Sequence, residues 1–225
     1  LLSMQRIKFL MTNKEQSSPH IYGNYEDKYN SENIIAKFLM RNFIKNFKKN
    51  LFSFEGKSAD AVCEVGCGEG ELLKIIHAIY PDVTLYASDI SEGEIAKAKE
   101  NCAPMSVRFS VQNAENLDEY DDSVFDLVVC CEVLEHLSNV EKGLSELFRI
   151  SKKHILLSVP NEPIWKILNV ARGKYLRDFG NTPGHINHWN IVQFPKFLST
   201  YSKYSLIERS YPFPWQMVLL KKVTR

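Results

Sequence analysis

The sequence predicts an α/β protein with a doubly wound, Rossmann-like sheet that carries helices on both faces. Short apolar runs with a β-branched bias alternate with segments of helical spacing between residues 61 and 160, which is typical of parallel strands joined by helices. A glycine loop, Gly66 to Gly70, lies between the first such run and the first such helix. Asp89 follows the second run, roughly twenty residues beyond the loop, as the ribose-binding acid does in nucleotide-binding folds.

Length and composition limit the class of protein. The 225 residues are enough for one domain with a substantial core. The 28 Lys and Arg residues nearly balance the 27 Asp and Glu residues, which disfavours a nucleic-acid partner. The five cysteines form no paired framework and no C-x-x-C site, so we expect a reducing, cytoplasmic location. The stretch from Leu1 to Met11 is too short and too interrupted for a signal peptide or a transmembrane span.

The chain is predicted to form a mobile N-terminal segment, residues 1–30, followed by a single domain, residues 31–225. Tyr22 and Tyr29 lie in the first segment among other aromatic residues. Since tyrosine faces attract cations, the segment is either a lid over a cationic cofactor or an aromatic anchor packed on the core. A helix is predicted from Ser31, in an N-cap position, to about residue 52.

The glycine loop itself separates two classes of ligand. A dinucleotide fold requires G-x-G-x-x-G, with the pyrophosphate at the helix N-terminus, but Glu71 occupies the place of the last glycine. Glu64 and Glu69 put carboxylates around the loop, which favours a cationic or amine-bearing ligand over a pyrophosphate. Glycines suit a sharp turn that a ligand approaches closely.

The pattern E-x-G-x-G-x-G, from Glu64 to Gly70, resembles motif I of the class I S-adenosylmethionine (SAM) methyltransferases. VFDLVVCCEVLEHL, residues 124–137, is similar to the strand-four motif of their small-molecule branch, the type-11-like enzymes. The resemblance implies a seven-stranded sheet, mostly parallel with an antiparallel last strand. It also implies SAM as cofactor, with S-adenosylhomocysteine (SAH) as product, and methyl transfer to an oxygen, nitrogen or carbon of a small-molecule or metabolite-like acceptor.

The same resemblance implies a cofactor site, in which Glu64 helps to hold the amino group of SAM and Asp89 holds its ribose. NAD would need the second contact too, and Asp89 could instead cap the helix that starts near Ser91. Asn113 stands where the family often has an acidic residue for the adenine amino group, and its carbonyl oxygen can accept the same bond. The predicted cofactor-binding residues are Glu64, Gly66, Cys67, Gly68, Gly70, Asp89, Ile90, Asn113, Ala114, Glu115, Cys131, Tyr22 and Tyr29.

The predicted catalytic residues are His136 and His188, as candidate bases, and Glu132, which lines the cofactor or acceptor site. Either histidine could instead have a structural role. E-x-x-E-H, from Glu132 to His136, also looks like the metal-binding motif of some quinone-pathway O-methyltransferases and small-RNA 2′-O-methyltransferases. Residues three and four apart share a helix face, so Glu132, Glu135 and His136 could converge on one point. A divalent cation held by these residues together with His185 or His188 is therefore a second hypothesis, which we do not favour. Without a metal, Glu135 would start a helix, where its charge suits the dipole.

Residues 161–190 are predicted to be an insertion that borders the acceptor pocket. Its basic residues are Lys166, Arg172, Lys174 and Arg177. They form either a solvated face of a lid helix or a contact for an anionic or lipid-linked acceptor, or for an anionic membrane surface. Two other classes of function stay open: a non-catalytic SAM-binding regulatory protein, and a nicotinamide-dependent oxidoreductase, which Glu71 disfavours.

Overall fold

A computed structural model of the chain describes residues 34–54 and 59–223. The predicted N-terminal segment with Tyr22 and Tyr29 lies outside the described residues, as does the predicted cap Ser31.

Seven strands form one sheet in the order β3-β2-β1-β4-β5-β7-β6. Strands β1 to β5 pair in parallel, while β7 lies between β5 and β6 and runs antiparallel to both. The predicted sheet, mostly parallel with an antiparallel last strand, is confirmed. The strands are β1 Ala61–Val65, β2 Thr84–Asp89, β3 Val107–Val111, β4 Phe125–Cys131, β5 Ser151–Pro160, β6 Tyr204–Ser210 and β7 Trp215–Lys222.

Helices connect the strands and cover the sheet. Among the helices of the described residues, none combines the length and the apolar character needed to cross a bilayer. Within residues 34–54 and 59–223, the α-helices are α1 Ile34–Ser53, α2 Glu71–Ile79, α3 Glu92–Asn101, α4 Val140–Ile150, α5 Glu162–Ala171 and α6 Gln193–Leu198, with single 3₁₀ turns at Leu134–His136 and Leu176–Asp178.

The core has two halves because strand side chains alternate between the two faces of the sheet. Along β4, Val128 and Cys130 point into one half and Leu127 and Val129 into the other. The first half is closed by α4 and α6, and the second by α1 and α2. All seven residues of β4 are buried, which explains why this strand has a nearly continuous apolar sequence.

The carboxyl ends of β1, β2, β4 and β5 meet at one edge of the sheet, because these strands are parallel. We call this the ligand edge, since open α/β sheets bind ligands there. The glycine loop, Asp89, Glu132 and Asn161 all follow directly on strand ends, or end a strand, at this edge.

The turn after β4 differs from its prediction. Glu132 has a left-handed φ of 60°, and residues 134–136 make a single 3₁₀ turn. α4 begins only at Val140, where the side chain of Asn139 accepts a hydrogen bond from the Lys142 N–H. The predictions that Glu135 starts a helix and that Glu132 shares a helix face with it are therefore wrong.

Candidate active site

The glycine loop is a sharp turn fixed by its backbone. The N–H of Gly66 donates to the Ser88 carbonyl at 2.7 Å. Gly66, Gly68 and Gly70 have φ values of 76°, 49° and 83°, a region that residues with side chains rarely adopt. A Cβ on Gly66 would lie 2.2 Å from Cγ2 of Val133, because the loop packs closely against the turn after β4.

Asp89 ties this loop to the end of β2. Its Oδ2 accepts a hydrogen bond from the Gly68 N–H at 2.9 Å, and its Oδ1 accepts one from the Ser91 N–H at 2.9 Å. Ser91 is the cap of α3, with its hydroxyl accepting from the Glu94 N–H, so Asp89 is not that cap. Ile90, beside it, is 44% exposed and offers an apolar surface next to the Asp89 carboxylate.

Glu64 is a buried acid at the same edge. Glu64 is 2% exposed, and its Oε2 has no hydrogen-bond partner among the described residues. Burial, together with the negative charge of Asp89, raises the pKa of Glu64 well above its ordinary value. A buried acid with an unused oxygen is costly unless a donor or a cation meets it. The site is therefore electrostatically suited to a positively charged group.

Two cysteines complete the surroundings of the loop. Cys67 and Cys131 are both buried, and burial raises the pKa of each thiol. Both thiols therefore stay protonated near neutral pH and act as small apolar side chains.

The turn after β3 carries three of the predicted cofactor residues. Asn113 is exposed, and its Oδ1 accepts a hydrogen bond from the Glu115 N–H at 2.8 Å. Glu115 Oε1 accepts one from the Asn139 N–H at 2.8 Å, which links this turn to the start of α4. Ala114 is buried. The Asn113 oxygen still has a second lone pair for a ligand donor.

Acidic and imidazole groups collect beyond β4 and β5. Donor atoms of Glu135, His136 and His185 all lie within 4.8 Å of one another, with Glu135 and His185 buried and His136 exposed. The ring centroids of the two histidines are 4.8 Å apart, edge to face. Glu132 lies outside this triad, and its Oε1 accepts a hydrogen bond from the Ser158 hydroxyl at 2.8 Å.

Glu162, the first residue of α5, lies behind the triad. Its Oε1 is 2.5 Å from Nδ1 of His185 and 3.6 Å from Nδ1 of His188. His188 is exposed, but partial desolvation lowers its pKa in spite of the Glu162 carboxylate. Glu162 is not among the residues predicted from the sequence, although its position two residues after β5, at the ligand edge, is a usable signal.

The triad has the chemistry of a divalent-metal site. Two imidazoles and a carboxylate bind zinc and related ions, and a carboxylate behind a ligating histidine, as Glu162 is behind His185, is a common second shell. Ligand atoms lie about 2 Å from such an ion, so donors up to 4.8 Å apart would have to draw together slightly. The residues fit an ion after that small movement.

Comparisons with known proteins point in one direction. A family model described as a methyltransferase domain matches residues 63–157. A malonyl-[acyl-carrier protein] O-methyltransferase of Anoxybacillus flavithermus is 29% identical over 86 residues, which cover 38% of this chain and 32% of that protein. A demethylmenaquinone methyltransferase of Symbiobacterium thermophilum is 25% identical over 171 residues, 72% of this chain and 66% of that protein. The matches thus span about a third and just under two thirds of these relatives.

The fold is shared with solved structures. A magnesium protoporphyrin IX methyltransferase from Synechocystis, with bound SAH, superposes with a TM-score of 0.64 at 19% identity, covering 86% of this chain and 89% of that one. A plantazolicin methyltransferase in complex with SAH superposes with a TM-score of 0.65 at 15% identity, covering 84% and 86% of the two chains.

Proposed function

Because residues 63–157 belong to the class I SAM-dependent methyltransferase family, we propose that this protein transfers the methyl group of SAM to a small-molecule acceptor. One observation carries the proposal: Glu64 is a buried acid beside a glycine loop, with an oxygen that no described residue satisfies. The ammonium group of SAM supplies the missing donor. The pyrophosphate of a dinucleotide would instead bring more negative charge beside Glu64 and Asp89, which disfavours an oxidoreductase.

Different residues at the ligand edge are proposed to contact different parts of the cofactor. Glu64 accepts hydrogen bonds from the amino group, and the bare backbone of Gly66 to Gly70 leaves room for the methionine end. Asp89, held by the loop itself, accepts from the ribose hydroxyls, and Ile90 offers its apolar surface to the adenine. When bound, SAM supplies an electrophilic methyl group next to a positively charged sulfur.

The acceptor is proposed to bind beside the acidic and imidazole groups beyond β4 and β5. A hydroxyl acceptor loses its proton as it attacks, and an imidazole within reach accelerates that step. His136 and His188 are the proposed bases, Glu132 is proposed to line the site, and His185 joins them because Glu162 holds its Nδ1. If the triad instead held a divalent ion, that ion would lower the pKa of the acceptor hydroxyl.

The relatives are named for methylating unlike acceptors, malonyl-[acyl-carrier protein] and demethylmenaquinone. The acceptor is therefore best found without assuming one. Incubation of the protein with methyl-labelled SAM and a small-molecule extract, followed by mass spectrometry, should yield at least one labelled small molecule. If SAM binds but no extract from any source gains label, the protein is a non-catalytic SAM-binding protein and the proposed activity is wrong.

Loss of the Asp89 carboxylate should weaken SAM binding. We expect Asp89→Ala to lower the affinity by about 10- to 100-fold, the range for a lost hydrogen bond to a charged group of about 1.5–3 kcal/mol. Asp89→Asn keeps one oxygen and should lose less. Isothermal titration with SAM measures both variants, and Asp118→Ala, which removes an exposed acid in the loop between β3 and β4, is the matched control. Equal affinity in wild type and Asp89→Ala would refute the ribose assignment.

A further inference from the structure

The chain after β5 holds large apolar side chains in solvent. The exposed fractions are 67% for Ile167, 45% for Val170, 58% for Leu176 and 86% for Phe179. We call residues 167–179 the lid tip. Clusters of exposed large apolar side chains are uncommon on proteins that stay free in solution, and they mark surfaces that contact a partner or a membrane.

The lid tip is anchored by buried contacts. Asn169 is 1% exposed, and its Nδ2 donates to the Gly180 carbonyl at 2.8 Å and to the Thr182 hydroxyl at 3.1 Å. The indole N–H of Trp165 donates to the same hydroxyl at 2.8 Å. A Cβ on Gly180 would lie 2.2 Å from the Lys166 carbonyl oxygen, so the chain returns tightly against α5.

These anchors impose an unfavourable backbone conformation. Tyr175 and Phe179, on either side of the 3₁₀ turn, have φ values of 52° and 50°, which cost free energy in residues other than glycine. The surrounding contacts must therefore determine the turn. The result is a fixed projection that presents Leu176 and Phe179 to solvent.

Positive charge accompanies these apolar groups. The lid tip contains Arg172, Lys174 and Arg177, and its only acidic residue is Asp178. Arg172 and Arg177 are exposed. A surface that combines large apolar side chains with excess cations is complementary to an anionic lipid interface, which attracts the cations and accepts the apolar groups.

Helix α1 adds further cations on the same side of the sheet. The ring of Trp215 lies 5.2 Å from that of Phe43 in α1 and 5.5 Å from that of Trp165 in α5, so both helices pack against one residue. α1 contains five basic residues and no acidic one. Its exposed basic and aromatic residues are Lys37, Phe38, Arg41, Lys45, Lys48, Lys49 and Phe52, of which Lys49 pairs with Glu208 of β6.

We propose that the lid tip docks on the surface of an anionic lipid bilayer, with Leu176 and Phe179 entering the interfacial region and the nearby cations facing lipid headgroups. A soluble anionic metabolite would account for the cations but not for the fixed, exposed apolar projection. Because the lid tip follows β5 at the ligand edge, docking would bring a membrane-held acceptor to the site. That consequence rests on the proposed function, whereas docking itself does not.

Vesicle flotation tests docking without any methyl transfer. At low ionic strength the wild-type chain should float with phosphatidylglycerol-rich vesicles and remain at the bottom with phosphatidylcholine vesicles. The double variant Leu176→Ser/Phe179→Ser should partition at least about tenfold more weakly, because it removes the apolar groups that enter the interface. The double variant Lys45→Glu/Lys48→Glu should show a similar loss, which high salt reproduces in the wild type by screening.

The matched controls lie on the edge strand β6 and its approach. Ile207→Ser removes an apolar side chain that is 42% exposed, and Lys203→Glu reverses an exposed cation; both should float like the wild type. Circular dichroism melts check that all variants fold. Wild-type protein that does not float with anionic vesicles, or equal losses in the lid-tip and control variants, would overturn the proposal. If the chain bound an acidic carrier protein but not vesicles, and the lid-tip change abolished that binding, the lid tip would be a protein-binding surface and the proposal would be wrong.

Discussion

Replacement of Glu64 by Gln is expected to weaken SAM binding by about 10- to 100-fold, which corresponds to the loss of a charge-assisted hydrogen bond of about 1.5–3 kcal/mol. The same change should raise the thermal stability of the ligand-free protein near neutral pH. Both effects have one cause: the buried carboxylate binds the cofactor's ammonium when it is present and lacks a compensating group when it is absent.

The gain in stability has a defined pH dependence. The pKa of Glu64 is higher in the folded protein than its ordinary value of 4.5. As pH rises past 4.5, the unfolded chain gives up this proton before the folded protein does, so Glu64 lowers stability increasingly until its folded pKa is reached. The amide that replaces the carboxylate in the Glu64→Gln variant does not titrate. The difference in Tm between Glu64→Gln and wild type should therefore be small near about pH 4 and grow towards about pH 8.

Glu69→Gln is the control for both measurements. Glu69 lies in the same loop, but it is only half-buried and pairs with Lys97 at 3.1 Å. We expect neither the large loss of affinity nor the rising difference in Tm. A Glu64→Gln variant that binds SAM as tightly as the wild type would remove Glu64 from the cofactor site.

Replacement of His185 by Ala is expected to lower methyl transfer by about 10²- to 10⁴-fold, the usual contribution of a general base, while SAM affinity stays close to that of wild type. His185 is 6% exposed, and Glu162 orients its ring through Nδ1, so Nε2 is the nitrogen left for an acceptor or an ion. His136→Ala and His188→Ala should also retain SAM binding, and at least one of them should lose most activity. Single-turnover transfer to the identified acceptor measures these effects.

His77→Ala, on α2, is the matched control and should transfer methyl groups at the wild-type rate. The triad's donor atoms would have to draw together before they could hold an ion, whereas a proton acceptor needs no such movement. We therefore expect the imidazoles to act as proton acceptors and the activity to survive chelation. Elemental analysis of wild type and His185→Ala decides between the roles: metal lost together with activity would identify His185 as a ligand. The three histidine variants are His136→Ala, His185→Ala and His188→Ala. If each of them kept full activity, these three imidazoles would be excluded from the reaction.

The sequence was sufficient for the sheet because its signals are local. A few neighbouring residues are enough to predict β4, whose apolar run is buried on both faces. The same is true of the glycine loop after β1. Asp89 was predicted beside that loop from a distance along the chain, and its hydrogen bond to the Gly68 N–H shows that the two are adjacent. The roles of these residues toward SAM stay predictions.

The acceptor side could not be predicted in the same way, because its contacts are remote in sequence. Glu162 and His185 are 23 residues apart, and only the return of the chain against α5 brings them together. Helical spacing suggested that Glu132 and Glu135 converge, but the left-handed φ of Glu132 turns the chain before a helix forms. Similarly, the basic residues of the insertion were visible, whereas the buried Asn169 that fixes the lid tip had no local signal.

The central claim is that the ligand edge binds SAM through Glu64, the glycine loop and Asp89. Isothermal titration of the wild-type chain with SAH, and separately with NADH, tests it most directly. We expect one molecule of SAH to bind per chain and no measurable heat of binding for NADH. Binding of NADH, with none of SAH or SAM, would contradict it.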